Sequence, residues 1–247
     1  MADDPLATLT WLVEAGADEA IGETPVNRLA AKAPPPAPMR AAARPAPAVA
    51  ASVDANTEHR DIVGTAQALA GAATSLSELR AAMEGFDGCA LKRTATNTVF
   101  ADGTELAPVM LIGEAPGREE DRMGKPFVGR AGQLLDKMLA SIGLDRAHNA
   151  YITNVINWRP PGNRDPAPDE AAQCLPFLRR HIELAQPKVI ILLGAVAARH
   201  VVGRTDGIMR MRGHWMEYRI GERMVPLMPT LHPAYLLRQP AHKKLAW

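Results

Sequence analysis

Four residues between positions 114 and 232 carry chemistry that this chain could run. Glu114 sits in Gly113-Glu-Ala-Pro-Gly117, a loop bracketed by glycines. Held in a dry pocket, it could act as a general base or as an anion facing a developing cation. Phe127 lies in Gly124-Lys-Pro-Phe-Val-Gly129, between Pro126 and Val128 rather than on a helix face. It is a rigid aromatic on which a flat ring could stack. Asn154 closes Tyr151-Ile-Thr-Asn154 and offers a donor and an acceptor in one plane, which suits a base edge or a peptide-like edge. His232 precedes Pro233, which favours an extended backbone at the histidine. A neutral imidazole there could donate to a developing oxyanion. Each residue also has a plainer reading: a solvated glutamate on a turn, a core plug, a satisfied strand-end asparagine, a structural histidine.

The order of the surrounding elements would make these four one site. Val109 to Ile112 is a short buried-strand signal leading, through the glutamate loop, to a helix over 129–142. There Leu134, Leu135, Met138, Leu139 and Ile142 recur at helical spacing. A strand over 151–156 leads through the loop 157–168 to a helix over 169–185, and the apolar run 188–193 ends at Gly194 before a helix over 195–202. Segments 214–221 and 224–230 form a hairpin-like approach to a fourth strand, ending at Thr230-Leu-His-Pro233. Near-continuous apolar strands alternating with helices indicate an α/β fold, with a mostly parallel sheet covered on both faces. In open sheets of this kind ligands bind beyond the carboxyl ends of the strands. Glu114, Asn154, Gly194 and His232 all fall there.

Upstream, a helical stretch over 57–84, with Ile62, Leu69, Leu76, Leu79 and Met83 on its apolar face, would cap one side of this domain. The expected division is an N-terminal helical segment of unknown role over 1–32, an Ala/Pro-rich linker over 33–56 and the main domain over 57–247. The linker composition favours extended, semi-rigid chain. The run 241–247 begins like a helix and stops without a C-terminal signal, so the chain is expected to continue past Trp247.

Net charge is +1 over 247 residues, which by itself points to no partner. Its distribution says more, because residues 1–56 hold 4 basic and 7 acidic side chains while residues 199–247 hold 9 basic and 3 acidic ones. A basic final fifth is compatible with a polyanion partner or with an ordinary solvated face. Arg204, Arg210, Arg212 and Lys243 are candidates for phosphate contacts from charge alone. Two cysteines, Cys89 and Cys174, stand 85 positions apart. With no secretory signal and no apolar run of membrane-spanning length, a cytoplasmic protein with reduced thiols is expected. The sequence has no phosphate-binding loop, no dinucleotide fingerprint and no Gly-x-Ser-x-Gly turn. His181, His200 and His214 sit singly, without metal-ligand spacing.

From about residue 85 to the end, the motifs resemble, in order, those of the uracil-DNA glycosylase superfamily, and within it family 4. They are Gly113-Glu-Ala-Pro-Gly117 with Glu119-Glu-Asp121, Gly124-Lys-Pro-Phe-Val-Gly129, Tyr151-Ile-Thr-Asn154, Arg159-Pro-Pro-Gly-Asn-Arg164 and Leu231-His-Pro-Ala-Tyr-Leu-Leu-Arg238. The resemblance implies a three-layer α/β/α fold with a central, mostly parallel four-stranded sheet. It also implies a monofunctional DNA repair enzyme that flips uracil out of DNA and hydrolyses its N-glycosidic bond, the first step of base excision repair. Other deaminated bases are possible substrates, in single- or double-stranded DNA, and a monomer is expected. By the same resemblance Glu114 and Ala115 belong to the water-activating loop, and Phe127 lies under the flipped base. Asn154 reads the base edge and His232 donates to the departing uracil. Tyr235, Leu236, Leu237 and Arg238 form the loop that enters the minor groove. A catalytically weak binder of DNA lesions or abasic sites on the same fold is the alternative. A nucleotide-handling enzyme is disfavoured by the missing phosphate loop.

Two departures stand out. Family 4 members typically hold a [4Fe–4S] cluster on four cysteines. Here Cys89 and Cys174 retain two of these positions, while Phe86 and Trp158 stand at the others. Two thiolates cannot hold such a cubane, and the two rings could fill the vacated volume, so no cofactor is expected. A related branch of the superfamily traps its product through a histidine in a Lys-Arg-Arg-Ile-His insertion. The corresponding loop here, 159–168, has no histidine, and turnover is expected.

Overall fold

The computed structural model of the protein describes residues 51–246, which belong to one compact unit. The expected segment 1–32 and most of the Ala/Pro-rich linker lie outside the described residues. Six strands make one mixed sheet in the order β1-β3-β2-β4-β6-β5. They are β1 (Asp102–Gly103), β2 (Val109–Gly113), β3 (Ala150–Asn154), β4 (Val189–Leu193), β5 (Met216–Ile220) and β6 (Arg223–Thr230). The helices are α1 (Ala51–Ala72), α2 (Leu76–Gly85), α3 (Arg118–Met123), α4 (Arg130–Ala140), α5 (Pro168–Ala185), α6 (Ala195–Val202), α7 (Ile208–Met211) and α8 (Pro233–Arg238).

The four central strands β3, β2, β4 and β6 run parallel, as the apolar runs predict. The sheet is nonetheless wider than the expected four strands, because β1 and β5 add antiparallel edges. β5 is the first arm of the expected hairpin. β1 is only two residues long, too short for any alternation to register in the sequence. Successive residues of the strands point to opposite faces. Thus Met110 and Ile112 join the core under α2 and α5, with Leu79, Phe177 and Ile182. Leu111 and Ile152 join the other face with Leu135 and Leu139 of α4. A third cluster, Leu134, Leu231 and Leu236, seats α8 beside α4.

The single helical stretch expected over 57–84 is two helices. α1 begins at Ala51, so residues 51–56, expected as linker, are helical. The chain breaks after Ala72, where Ser75 accepts from the Glu78 N–H (3.2 Å) to cap α2. A capping residue three positions before a glutamate is a recognised helix start. Arg180 on α5 fixes the break by donating to the Ala73 carbonyl from Nε (3.0 Å) and Nη2 (2.8 Å). Among the described residues no helix is long and apolar enough to cross a membrane.

Candidate active site

The parallel strands bring their carboxyl ends to one edge. Gly113 of β2 is in register with Asn154 of β3, and Leu193 of β4 with Thr230 of β6. Pairing continues into the loops. Ile156 N–H donates to the Glu114 carbonyl (2.9 Å), and Gly194 N–H to the Thr230 carbonyl (2.9 Å). Beyond these ends opens a cleft of about 620 Å³, lined by Glu114, Ala115, Phe127, Asn154, Gly194 and His232 among others. Every catalytic and base-binding residue singled out in the sequence borders this one space.

Two glycines set its dimensions. A Cβ on Gly113 would stand 2.4 Å from Asn154 Oδ1 and 2.6 Å from the Phe127 ring, so only glycine lets amide and ring close over the end of β2. A Cβ on Gly194, at φ 97°, would stand 3.0 Å from His232 Cβ. Phe127 itself has φ 55°, a conformation costly for a residue with a side chain and found where function holds it. Its ring lies 5.5 Å from the His232 ring, tilted by 31°. Phe127 is buried and also borders the cleft, so its ring both packs into the core and meets the open space.

The polar groups are poised rather than satisfied. Asn154 is 2% exposed and its Oδ1 has no hydrogen-bond partner. Such a group costs about 1–3 kcal/mol, which a ligand N–H would recover. His232 caps α8, its backbone extended (φ −68°, ψ 135°) as Pro233 requires. Its Nδ1 accepts from the Ala234 N–H (3.1 Å). A neutral ring that accepts at Nδ1 carries its proton on Nε2. Burial, reinforced by the positive charge of Arg238, pushes its pKa down to about 4, so the ring is an uncharged donor at neutral pH. Glu114 behaves oppositely: burial first, then the negative charge of Asp165, raises its carboxyl above the ordinary value, with Arg199 partly offsetting them. A carboxylate made more basic in this way is a better proton acceptor.

Two residues that the sequence did not single out as site residues frame the cleft. Glu120 on α3 accepts from the N–H groups of Gly117 (3.1 Å), Val128 (3.0 Å) and Gly129 (2.8 Å). It thereby ties the Glu114 loop to the Phe127 loop. The adjacent acids Glu119, Glu120 and Asp121 give no sequence signal of which one turns inward. Glu170 on α5 pairs with Arg164 through two contacts (2.6 and 2.8 Å) and accepts from the Ala167 N–H (2.7 Å). This fixes the loop that carries Asp165 to the cleft wall. Met209 of α7 also lines the cleft, although it is 48% exposed.

The segment expected to enter DNA is a helical turn, α8, rather than an irregular loop. Tyr235 and Arg238 border the cleft, and the Tyr235 hydroxyl lies 2.6 Å from His242 Nδ1. Leu237 is partly buried, and Leu236 is fully buried against Leu134 and Leu231. Leu236 thus packs into the core that seats α8, while Tyr235, Leu237 and Arg238 are more open. Of the basic candidates, Arg204 pairs with Asp206 (2.9 Å). Arg212 donates from Nη1 to the Leu245 carbonyl (3.2 Å), and its buried Nε has no partner. Arg210 is exposed and Lys243 is half-buried.

Phe86, Cys89, Trp158 and Cys174 converge on a single core cluster, each no more than 3% exposed. Phe86 packs on Phe177, ring centroids 5.2 Å apart. Trp158 Nε1 donates to Thr98 Oγ1 (3.0 Å). Donation of its S–H to Cys89, together with full burial, pushes the Cys174 thiol up, so this sulfur stays protonated. These residues do not fit a four-thiolate iron–sulfur cluster, since two positions lack sulfur and their rings occupy the space. Among the described residues no group of three or more His, Cys, Asp or Glu could hold a metal.

A family model described as the uracil DNA glycosylase superfamily matches residues 100–247, and the chain belongs to that superfamily. The motif order, the strand-end cleft and the match span the same stretch. Curated relatives narrow the likeness. A type-4 uracil-DNA glycosylase of Archaeoglobus fulgidus is 45% identical over 156 residues, covering 62% of this chain and 78% of the relative. One of Thermotoga maritima is 43% identical over 151 residues, covering 61% and 77%. A type-5 uracil-DNA glycosylase of Pyrobaculum aerophilum is 33% identical over 110 residues, covering 39% and 48%.

Proposed function

We propose that this protein is a uracil-DNA glycosylase that excises uracil from DNA by hydrolysing its N-glycosidic bond, leaving an abasic site for base excision repair. One observation carries the reading. A stacking ring, an unpartnered amide edge, a raised carboxylate and a neutral imidazole donor line one cleft at the carboxyl edge of the sheet.

In this reading the target nucleotide rotates out of the duplex, which costs a few kcal/mol and least at a mismatch. The base settles on Phe127, where stacking returns about 1–3 kcal/mol. Asn154 meets its imide edge, with Oδ1 accepting the ring N–H. As the C1′–N1 bond breaks, its electron pair leaves with the base, and positive charge grows on the sugar. The Nε2–H of His232 faces the resulting anion; Glu114 faces the cation and takes a proton from the attacking water. The water hydroxyl ends on C1′, uracil leaves as the anion and takes a proton from solvent, and Glu114 returns the proton it took to solvent. Tyr235 and Arg238, at the cleft rim, belong to the turn 235–238 that enters the minor groove and fills the vacated stack. In the same proposal the protein acts as a monomer, in the cytoplasm, on single- or double-stranded DNA. Since Phe86 and Trp158 fill two of the four cysteine positions, it acts without an iron–sulfur cluster. Iron and sulfide in stoichiometric amounts after anaerobic purification would overturn that part.

The activity is tested by incubating the protein with a uracil-containing oligonucleotide and cleaving abasic sites with alkali. Strand scission at uracil, absent from a thymine control, is expected. Tight binding to abasic DNA without scission would identify a lesion reader instead.

A further inference from the structure

We propose that Arg146, which does not line the cleft, is the positioning residue that holds the Phe127 ring as the floor of the base pocket; this rests on the uracil reading above. Arg146 lies between α4 and β3, with its side chain 16% exposed. Its Nη1 donates to the Pro126 carbonyl (2.8 Å) and its Nη2 to the Phe127 carbonyl. The guanidinium is itself gripped by two carboxylates. Nη1 also meets Asp102 Oδ2 of β1 (3.0 Å), and Nε meets Asp136 Oδ1 of α4 (2.7 Å).

One planar fork thus joins an edge strand, a helix and the loop that carries the platform. Gly132 of α4 packs against the same Phe127 carbonyl, since a Cβ there would stand 1.7 Å from that oxygen. The left-handed backbone at Phe127 is therefore contacted by both Arg146 and α4, and its ring lies against Gly113 and His232. A lysine could not substitute, because an ammonium lacks the rigid fork that spans two carbonyls and two carboxylates.

The test compares Arg146→Met and Arg146→Lys with the wild type in three readouts. For Arg146→Met, kcat/KM on uracil DNA is expected to fall about 10- to 100-fold, as ångström-scale misplacement of a platform does. Inhibition by free uracil should weaken in parallel, while affinity for uracil-free duplex is unchanged. Arg146→Lys should recover only a small part. In histidine-labelled protein, the NMR signal of His232 should shift, because the neighbouring Phe127 ring current moves. A purely architectural arginine predicts a lower Tm with uracil inhibition and the His232 signal intact, and that result overturns the proposal. If Arg146→Met does not fold, Asp136→Asn loosens the same fork from a side chain that is 50% exposed. It should change the same readouts in the same direction, and no change would count equally against the inference. Should the wild type release no uracil, the functional reading fails on its own, while the His232 signal still judges the role of Arg146.

Discussion

The cleft at the carboxyl edge and the core around Phe86 and Trp158 are built on opposite terms. In the cleft a phenylalanine is held at φ 55°, a buried amide oxygen has no partner, and a carboxyl is more basic than usual. Around Phe86 the positions that resemble a metal-cluster site are closed by ring packing, a satisfied indole N–H and two buried thiols. Strained backbone such as that of Phe127 persists only where the surrounding structure over-determines it. The difference separates a region with groups open to a ligand from one packed as ordinary core. Substitutions in the first should therefore change rate, and substitutions in the second should change stability.

The largest effect is expected in the core. Phe86→Ala removes a ring that is 3% exposed, and large-to-small changes of this kind cost about 3–5 kcal/mol. Denaturant unfolding should show that loss, with kcat of the remaining folded protein close to wild type. A fall in kcat without loss of stability would blur the two regions and give the Phe86 core a catalytic role. His232→Ala is the complementary variant. Removing a preorganised donor to a developing anion costs about 10²–10³ in turnover. Single-turnover rates should fall by that factor, while binding to abasic DNA stays nearly intact. Rates within a few-fold of wild type would take His232 out of the mechanism.

Much of this contrast was legible in the residues, for physical reasons that also mark where legibility ends. The central strands announce themselves because a strand buried on both faces must be apolar throughout, as Val109 to Ile112 and Val189 to Leu193 are. The edge strand β1 contributes two residues and left no pattern. Glu114, Phe127, Asn154 and His232 were visible because glycine- and proline-flanked polar or aromatic residues at strand ends have few structural excuses. Glu120 and Arg146 were not, since their work is done on backbone groups brought near only by the fold. Leu236 and Leu237 are indistinguishable as neighbours in a sequence. Only the phase of α8 turns the first into core and leaves the second partly open. The domain division was least readable at its near end, where α1 extends back to Ala51 across residues whose composition says linker.

The smallest effects are expected in the pH dependence. Glu114 has its carboxyl raised by burial and by Asp165, whereas His232 has its imidazole lowered to about 4. The two act in opposite senses on stability. A carboxyl raised in the folded state contributes stability below its unfolded value that is lost as pH rises through the folded value. Glu114→Gln should therefore be more stable than wild type at neutral pH, with the advantage vanishing in acid. A lowered histidine leaves the fold intact above its ordinary 6.5 and weakens it as pH falls towards about 4. In the proposed reaction Glu114 acts ionised, so with its carboxyl raised by burial and by Asp165, kcat/KM should fall on the acid side at a pH above that of an ordinary carboxylate. Glu114→Gln should lower the rate and flatten this limb. An acid limb that survives the substitution unchanged would assign the titration to another group and remove Glu114 as the proton acceptor.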